Sequence, residues 1–228
     1  MMEKSTTTKG ICQFCGKEFS KGGISRHLKS CHMRQSAITT VETNQRKAQT
    51  IYHLQIQSYG DKNFWLHLEM RGDSNLRDLD LYLRAIWLEC CGHLSAFSHR
   101  HSLQQEIAMS HTISWIFEEL DQLEHIYDWG TPSETIIRHV NHRQGKMLNS
   151  EPIFLMARNN PPVYSCIQCE KPATHFCQEC MYEDGTTGML CDRHTKGHPH
   201  EDYGEPISLV NSPRLGICGY DGPAEAPY

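Results

Sequence analysis

From Ile51 the chain alternates. Tyr52, Leu54 and Ile56 are interleaved with His53, Gln55 and Gln57. After Tyr59-Gly-Asp-Lys-Asn63, the residues Phe64, Leu66, Leu68 and Met70 are interleaved with Trp65, His67 and Glu69. Two period-two runs joined by a short polar turn predict an antiparallel strand pair. The period then becomes helical, with apolar positions at Leu76, Leu79, Leu83, Ile86, Trp87 and Cys90. Asp73 or Ser74 is placed to cap that helix, and Gly92 to end it. A short strand is expected over Leu94 to Phe97, and a helical turn or two over 113–120. A second hairpin is expected from His125 to Tyr127 and Thr135 to Val140, around Asp128-Trp-Gly-Thr-Pro-Ser133, with a further strand over Ile153 to Ala157. Together these predict an α+β core over 51–160, an antiparallel sheet with one main helix, of a size common for one domain.

The flanks differ. Residues 1–10 are polar and read as a disordered start, and 35–50 are Thr/Gln-rich and read as a linker. Pro206 to Gly222 is too apolar for a free tail, so 205–228 is expected to dock back on the core. The 228 residues are 38% hydrophobic with mean hydropathy -0.57, which argues against one large core. No apolar run is long enough to span a bilayer and no charged-then-apolar leader is present, so a cytoplasmic setting without membrane contact is expected. Eleven cysteines in such a setting point to metal ligation rather than disulfides.

Their spacing is more informative than their number. Cys12 and Cys15 form a CxxC knuckle, followed by His27 and then Cys31 and His32. Positions four apart share a helical face, so His27 and Cys31 are the preferred pair and His32 the second choice. Phe19, Ile24 and Leu28 would form the miniature core. This stretch (1–34 with its start) resembles a two-cysteine, two-histidine zinc finger. It departs in having a Cys-to-His gap one residue short, no aromatic two residues before Cys12, and a helix that begins Lys21-Gly22-Gly23. The positions that would face bases are Ser20, Gly23 and Arg26, and glycine cannot read a base edge. Phosphate contact through Lys17, Lys21, Arg26 and Lys29 remains open. Residues 1–50 carry nine Lys/Arg against three Asp/Glu, while the rest of the chain carries thirteen against twenty-four. Weak, non-specific nucleic-acid contact is therefore expected in this arm.

The second cluster, in 161–204, pairs Cys166 with Cys169, Cys177 with Cys180, Cys191 with His194 and His198 with His200. Eight donors make two tetrahedral sites with no position left for water, hence structural ones. The order resembles cross-braced B-box and MYND-type modules. The resemblance implies one site from Cys166, Cys169, Cys191 and His194 and another from Cys177, Cys180, His198 and His200; sequential pairing is the rival. Twelve donors in all predict three zinc ions, and an α+β fold flanked by small zinc-stabilised modules.

From Ile51 onward the chain resembles the pRiA-plasmid ORF-three-like domain family, whose members are also labelled transposon-passenger TnpR proteins. The resemblance rests on Phe64-Trp-Leu-His-Leu-Glu69, Gly72-Asp73, Leu79-Asp80, Ile86-Trp-Leu-Glu-Cys-Cys-Gly-His-Leu-Ser-Ala-Phe97, Tyr127-Asp-Trp-Gly130, Ala157-Arg-Asn-Asn160, Val210-Asn-Ser-Pro-Arg214 and Cys218-Gly-Tyr220. It implies a bacterial cytoplasmic protein of mobile-element association with an α+β core, and no reaction. The TnpR label suggests a resolvase, but no recombinase nucleophile constellation is present.

Two function classes follow. The first is a zinc-stabilised interaction or adaptor protein with a protein partner. The alternative is a hydrolytic enzyme using His93 as a base oriented by Asp128, with Glu89 nearby. Read structurally, His93 caps a helix, Asp128 starts a turn, Cys90 and Cys91 are small buried residues, and Trp65, Trp87, Trp115 and Trp129 are core or interface aromatics. That reading favours the adaptor.

Overall fold

The computed structural model describes residues 8–99 and 105–228. Among these, β1 (Lys9–Cys12), β2 (Glu18–Ser20), β3 (Gln49–Ser58), β4 (Trp65–Arg71), β5 (Ser95–Ser98), β6 (Glu106–Ile107), β7 (Gln122–Tyr127), β8 (Ser133–Gly145) and β9 (Ile153–Asn159) form one antiparallel sheet. Its order is β2-β1-β9-β4-β3-β8-β7-β5-β6. The expected pair β3–β4 is present, with Leu54 opposite Leu68, as is the hairpin β7–β8 and the strand at β9. The fold is α+β.

Alternation explains both faces of the sheet. Leu54, Ile56, Leu66, Leu68 and Met70 point into one core, closed by α3 (Leu76–Leu83) and α4 (Ile113–Glu119) through Leu79, Leu83, Ile113 and Ile116. Asn75 rather than Asp73 or Ser74 caps α3, in a reciprocal box with Asp78. The helix widens into a π-turn over Arg84–Leu88 and stops there, short of Gly92. Glu89 already has extended backbone, so Cys90 leaves the helix.

The opposite face carries Trp65, His67 and Glu69, and they too are buried, at 0%, 0% and 1% exposure. The N-terminal module covers this face. Its helix α1 (Lys21–Ser30) places Ile24 and Leu28 in one apolar cluster with Trp65, Met156 and Ala157. The expected linker over 35–50 is corrected: α2 spans His32–Glu42 and β3 begins at Gln49. Its buried residue is Arg34, which donates to the Leu28 carbonyl and to Glu69. The polar composition that suggested a linker thus belongs to a helix whose inward contact is an ion pair. The disordered start is corrected at Lys9 and Gly10, which lie in β1 beside β9; residues 1–7 lie outside the described residues. Gly10 is needed at that approach, because a Cβ there would collide with the Arg158 carbonyl oxygen and the Trp65 ring.

The chain from 161 to 204 has little regular structure. Strands β10 (His175–Phe176), β11 (Met189–Leu190) and β12 (Ile207–Ser208) form a small sheet in the order β11-β10-β12, beside α5 (Gln178–Tyr182) and α6 (Asp192–Thr195). Beyond β12 the chain returns to the main core. Ser212 Oγ donates to the Trp87 carbonyl at 2.6 Å, and the Arg214 guanidinium is fully buried.

Candidate metal centres

The first cluster grows out of the β1–β2 turn. Gly16, with φ +68, lets its N–H reach the Cys12 carbonyl at 2.9 Å, and the Cys12 N–H reaches the Lys17 carbonyl at 3.0 Å. That knuckle turns Cys12 and Cys15 to one side. Ser20 caps α1, accepting from the Gly23 N–H at 3.2 Å, and the helix carries His27 to 3.3 Å from Cys15 Sγ. Phe19 stacks on the His27 ring with centroids 3.8 Å apart. Cys31 ends the helix with its sulfur 4.0 Å from Cys12 Sγ. The donor atoms of Cys12, Cys15, His27 and Cys31 all lie within 4.8 Å of one another; His32 is exposed and outside this set.

Two further sets interleave along the chain. Cys166, Cys169, Cys191 and His194 form one, with Cys166 Sγ to His194 Nδ1 at 3.3 Å and Cys169 Sγ to Cys191 Sγ at 3.8 Å. Cys177, Cys180, His198 and His200 form the other, with Cys180 Sγ 3.3 Å from His198 Nε2 and 3.2 Å from His200 Nδ1. First and third pairs meet, as do second and fourth, which is the cross-braced arrangement. Cys177 begins α5 and its sulfur accepts from the Cys180 N–H at 3.4 Å, so the same short turn aims both thiols.

The electrostatics of these sets are compatible with a cation. Burial pushes the Cys180 thiol up to about 12, assisted by Cys177, and pushes Cys12 up to about 11. Against burial, backbone N–H groups beginning with Gln168, together with His194, hold Cys166 down to about 6. Sulfurs crowded this closely repel one another as thiolates, and the positive charge of a divalent ion among them would offset that repulsion and favour the deprotonated form. The chemistry of the donors and their separations both fit a metal ion.

The hydrolytic candidates also come together. His93 Nε2 lies 3.5 Å from Asp128 Oδ2. Asp128 is already engaged, however. Its Oδ1 accepts from the Gly130 N–H at 2.9 Å, and its Oδ2 accepts from Thr131 Oγ1 and Arg214 Nη2, both at 2.6 Å. These donors, Thr131 first, hold its carboxyl well below the usual carboxylate range. Glu89 faces Arg84, the Gly92 N–H and the Tyr127 hydroxyl. The same His93 nitrogen faces thiols, at 3.0 Å from Cys91 Sγ and 3.4 Å from Cys218 Sγ. Cys90 and Cys91 are not buried as expected: Cys90 is half-buried and Cys91 exposed. Cys90, Cys91, His93 and Cys218 make a fourth set of donors within 4.8 Å, which the sequence reading missed. Its signal was present in Cys90-Cys-Gly-His93 and in a Cys218 with no other assignment.

Of the tryptophans, Trp65 and Trp87 are core residues, whereas Trp115 and Trp129 are about half exposed. Among the suggested phosphate contacts, Lys17, Arg26 and Lys29 are exposed. Lys21 is not free: its ammonium donates to Gln57 Oε1 and to the Lys62 carbonyl, and burial lowers its pKa.

No protein-family model matches the chain, and no curated protein matches it. Among solved structures it is similar to a protein of unknown function, MM3350 from Methanosarcina mazei Go1. That similarity is 15% in sequence identity with a TM-score of 0.39, over 46% of this chain and 66% of the other. Among the described residues, no helix is long and apolar enough to cross a membrane.

Proposed function

We propose that the protein is a zinc-binding interaction protein. In this reading the sets at residues 12–31 and 166–200 hold three structural zinc ions, and an exposed face of the C-terminal module docks a protein partner. The supporting observation is the closure of the donor sets. Each offers four thiol or imidazole donors at tetrahedral spacing, leaving no coordination position for substrate or activated water. The module they build exposes Ile167 and a stacked pair, Tyr182 and Tyr203, with centroids 5.7 Å apart. Exposed aromatics on a small rigid scaffold suit protein recognition. Through Lys17, Arg26 and Lys29 the N-terminal module offers a secondary, sequence-independent phosphate contact. The resemblance to the pRiA-plasmid ORF-three-like family is part of this proposal and adds no reaction to it.

The test has two arms. Elemental analysis of the Cys91→Ser/Cys218→Ser protein, which retains the twelve donors, should give three zinc equivalents. Capture from the native host with full-length protein should retain a partner that the Tyr182→Ala/Tyr203→Ala variant loses at unchanged zinc content. Equal recovery by the full-length protein and this variant would remove the docking face, and turnover of ester, phosphodiester or peptide substrates lost in both His93→Ala and Asp128→Asn would favour the enzyme.

A further inference from the structure

We infer that Cys90, Cys91, His93 and Cys218 form a fourth zinc site, separate from the two zinc modules, which fastens the C-terminal segment to the sheet core.

The separations carry this inference. Zinc bonds of about 2.3 Å to sulfur and 2.0–2.1 Å to nitrogen, arranged tetrahedrally, put sulfurs about 3.8 Å apart and sulfur and nitrogen about 3.6 Å apart. Here Cys90 Sγ to Cys91 Sγ is 3.7 Å and Cys91 Sγ to Cys218 Sγ is 3.7 Å. The imidazole nitrogen of His93 lies 3.0 and 3.4 Å from Cys91 and Cys218. A disulfide between any two of these cysteines would need about 2.05 Å. The edges instead match those of two of the other sets, where sulfurs stand 3.8 and 4.0 Å apart.

The chain has been shaped to present these donors. The π-turn over Arg84–Leu88 releases the backbone into extended conformation at Glu89. Glu89 then accepts from the Gly92 N–H at 2.7 Å and from the Tyr127 hydroxyl at 3.0 Å, fixing the knuckle that holds Cys90, Cys91 and His93. Cys218 arrives from the other side with φ 53 and ψ 36, a conformation L residues rarely adopt, between Gly216 (φ 76) and Gly219 (φ 69). Such strain persists where the surroundings over-determine it, and it gathers at functional sites.

Partners outside the donor set complete the case. Three thiolates and one divalent ion leave a net negative charge. The fully buried Arg214 guanidinium lies 3.5 Å from Cys90 Sγ, and Asp128 holds that guanidinium in place at 2.6 Å. Arg214 belongs to the same C-terminal segment as Cys218, so one loop brings both the fourth ligand and the compensating charge. Three sulfurs and an imidazole select zinc over hard cations. Unlike the other sets, this one has two exposed ligands, Cys91 and Cys218, so its ion meets solvent.

Native mass spectrometry of the full chain, purified under reducing conditions with zinc present, tests the site. Wild type should carry one more zinc than either Cys218→Ser or Cys91→Ser. Hydrogen exchange on the same samples should show residues 206–222 losing protection in both variants while β3 and β4 stay protected, which separates loss of the ion from loss of the fold. Identical zinc counts in wild type and both variants would overturn the proposal. So would a wild-type protein in which two of the eleven thiols are missing on titration after denaturation without reductant, because the cluster would then be a disulfide pair. The comparison is by difference, so failure of any of the three other sites lowers all samples alike and leaves this answer readable.

Discussion

Glu69 Oε1 accepts from Arg34 Nη2 at 2.5 Å across the interface between α2 and the sheet, with both side chains at 9% exposure or less. Arg143 completes the arrangement, with Nη2 at 2.8 Å from Glu69 Oε2. One carboxylate on β4 thus ties the N-terminal helices to β8. Removing a single partner from a buried pair leaves uncompensated charge. Glu69→Ala should therefore lower unfolding free energy by about 3–5 kcal/mol. Urea titration of the full-length protein checks this, and a loss below about 1 kcal/mol would show that the two arginines rehydrate instead.

The same face holds a pH-dependent element. His53 Nε2 and His67 Nδ1 are 2.8 Å apart, and burial, before the neighbouring charges, lowers both pKa values below the ordinary value near 6.5. An unfolded chain takes up protons on these rings below about pH 6.5 while the folded chain does not. Their contribution is therefore present above pH 6.5 and is lost as pH falls, by at most about 1.4 kcal/mol per pH unit per ring. Between pH 6.5 and 5, His53→Gln should flatten the stability curve relative to wild type. Parallel curves would mean that the rings are already protonated in the folded state.

Close packing at Gly10 gives a steric test. Gly10→Ala introduces a methyl group against the Arg158 carbonyl and the Trp65 ring, so β1 must move away from β9. Overpacking of this kind costs roughly 1–3 kcal/mol. Thermal melting should show the loss, and an unchanged melting temperature would show that the strand accommodates the methyl group.

Metal removal should divide the molecule. Apart from the candidate metal donors Cys177 and Cys180, the buried apolar cluster of the C-terminal module contains Leu190. Without an ion this module has too little core to stay folded. Chelation should open 166–203 to limited proteolysis while β3, β4 and β8 remain resistant. Simultaneous cleavage throughout would show that the module and sheet unfold as one unit.

Much of this architecture was legible in short-range patterns. Strands β3 and β4 follow from alternation, and the donor sets at 12–31 and 166–200 follow from spacings of a few residues. What was missed depends on long separation or on polarity. The helix α2 escaped because its buried residue is Arg34, so its inward face has no apolar stripe. The fourth donor set escaped because Cys218 joins Cys91 across 127 residues, a pairing that no local period encodes. The burial of His67 and Glu69 escaped for a related reason: their cover comes from another module, and alternation alone assigns polar positions to water.

The sheet order has a consequence for self-association. Its ends are the three-residue β2 and the two-residue β6, both too short to template another chain, which is how natural sheets guard their edges. Next inside lie β1 and then β9, whose Ile153-Phe-Leu-Met156 run has the apolar character of an aggregation-prone segment. The hairpin bearing Cys12 and Cys15 is therefore a terminator for the sheet as well as a ligand carrier. Detaching it would uncover the β9 backbone groups now paired with Gly10, Ile11 and Cys12. Conditions that strip or oxidise the 12–31 donors would thus turn a closed edge into a surface for intermolecular strand addition.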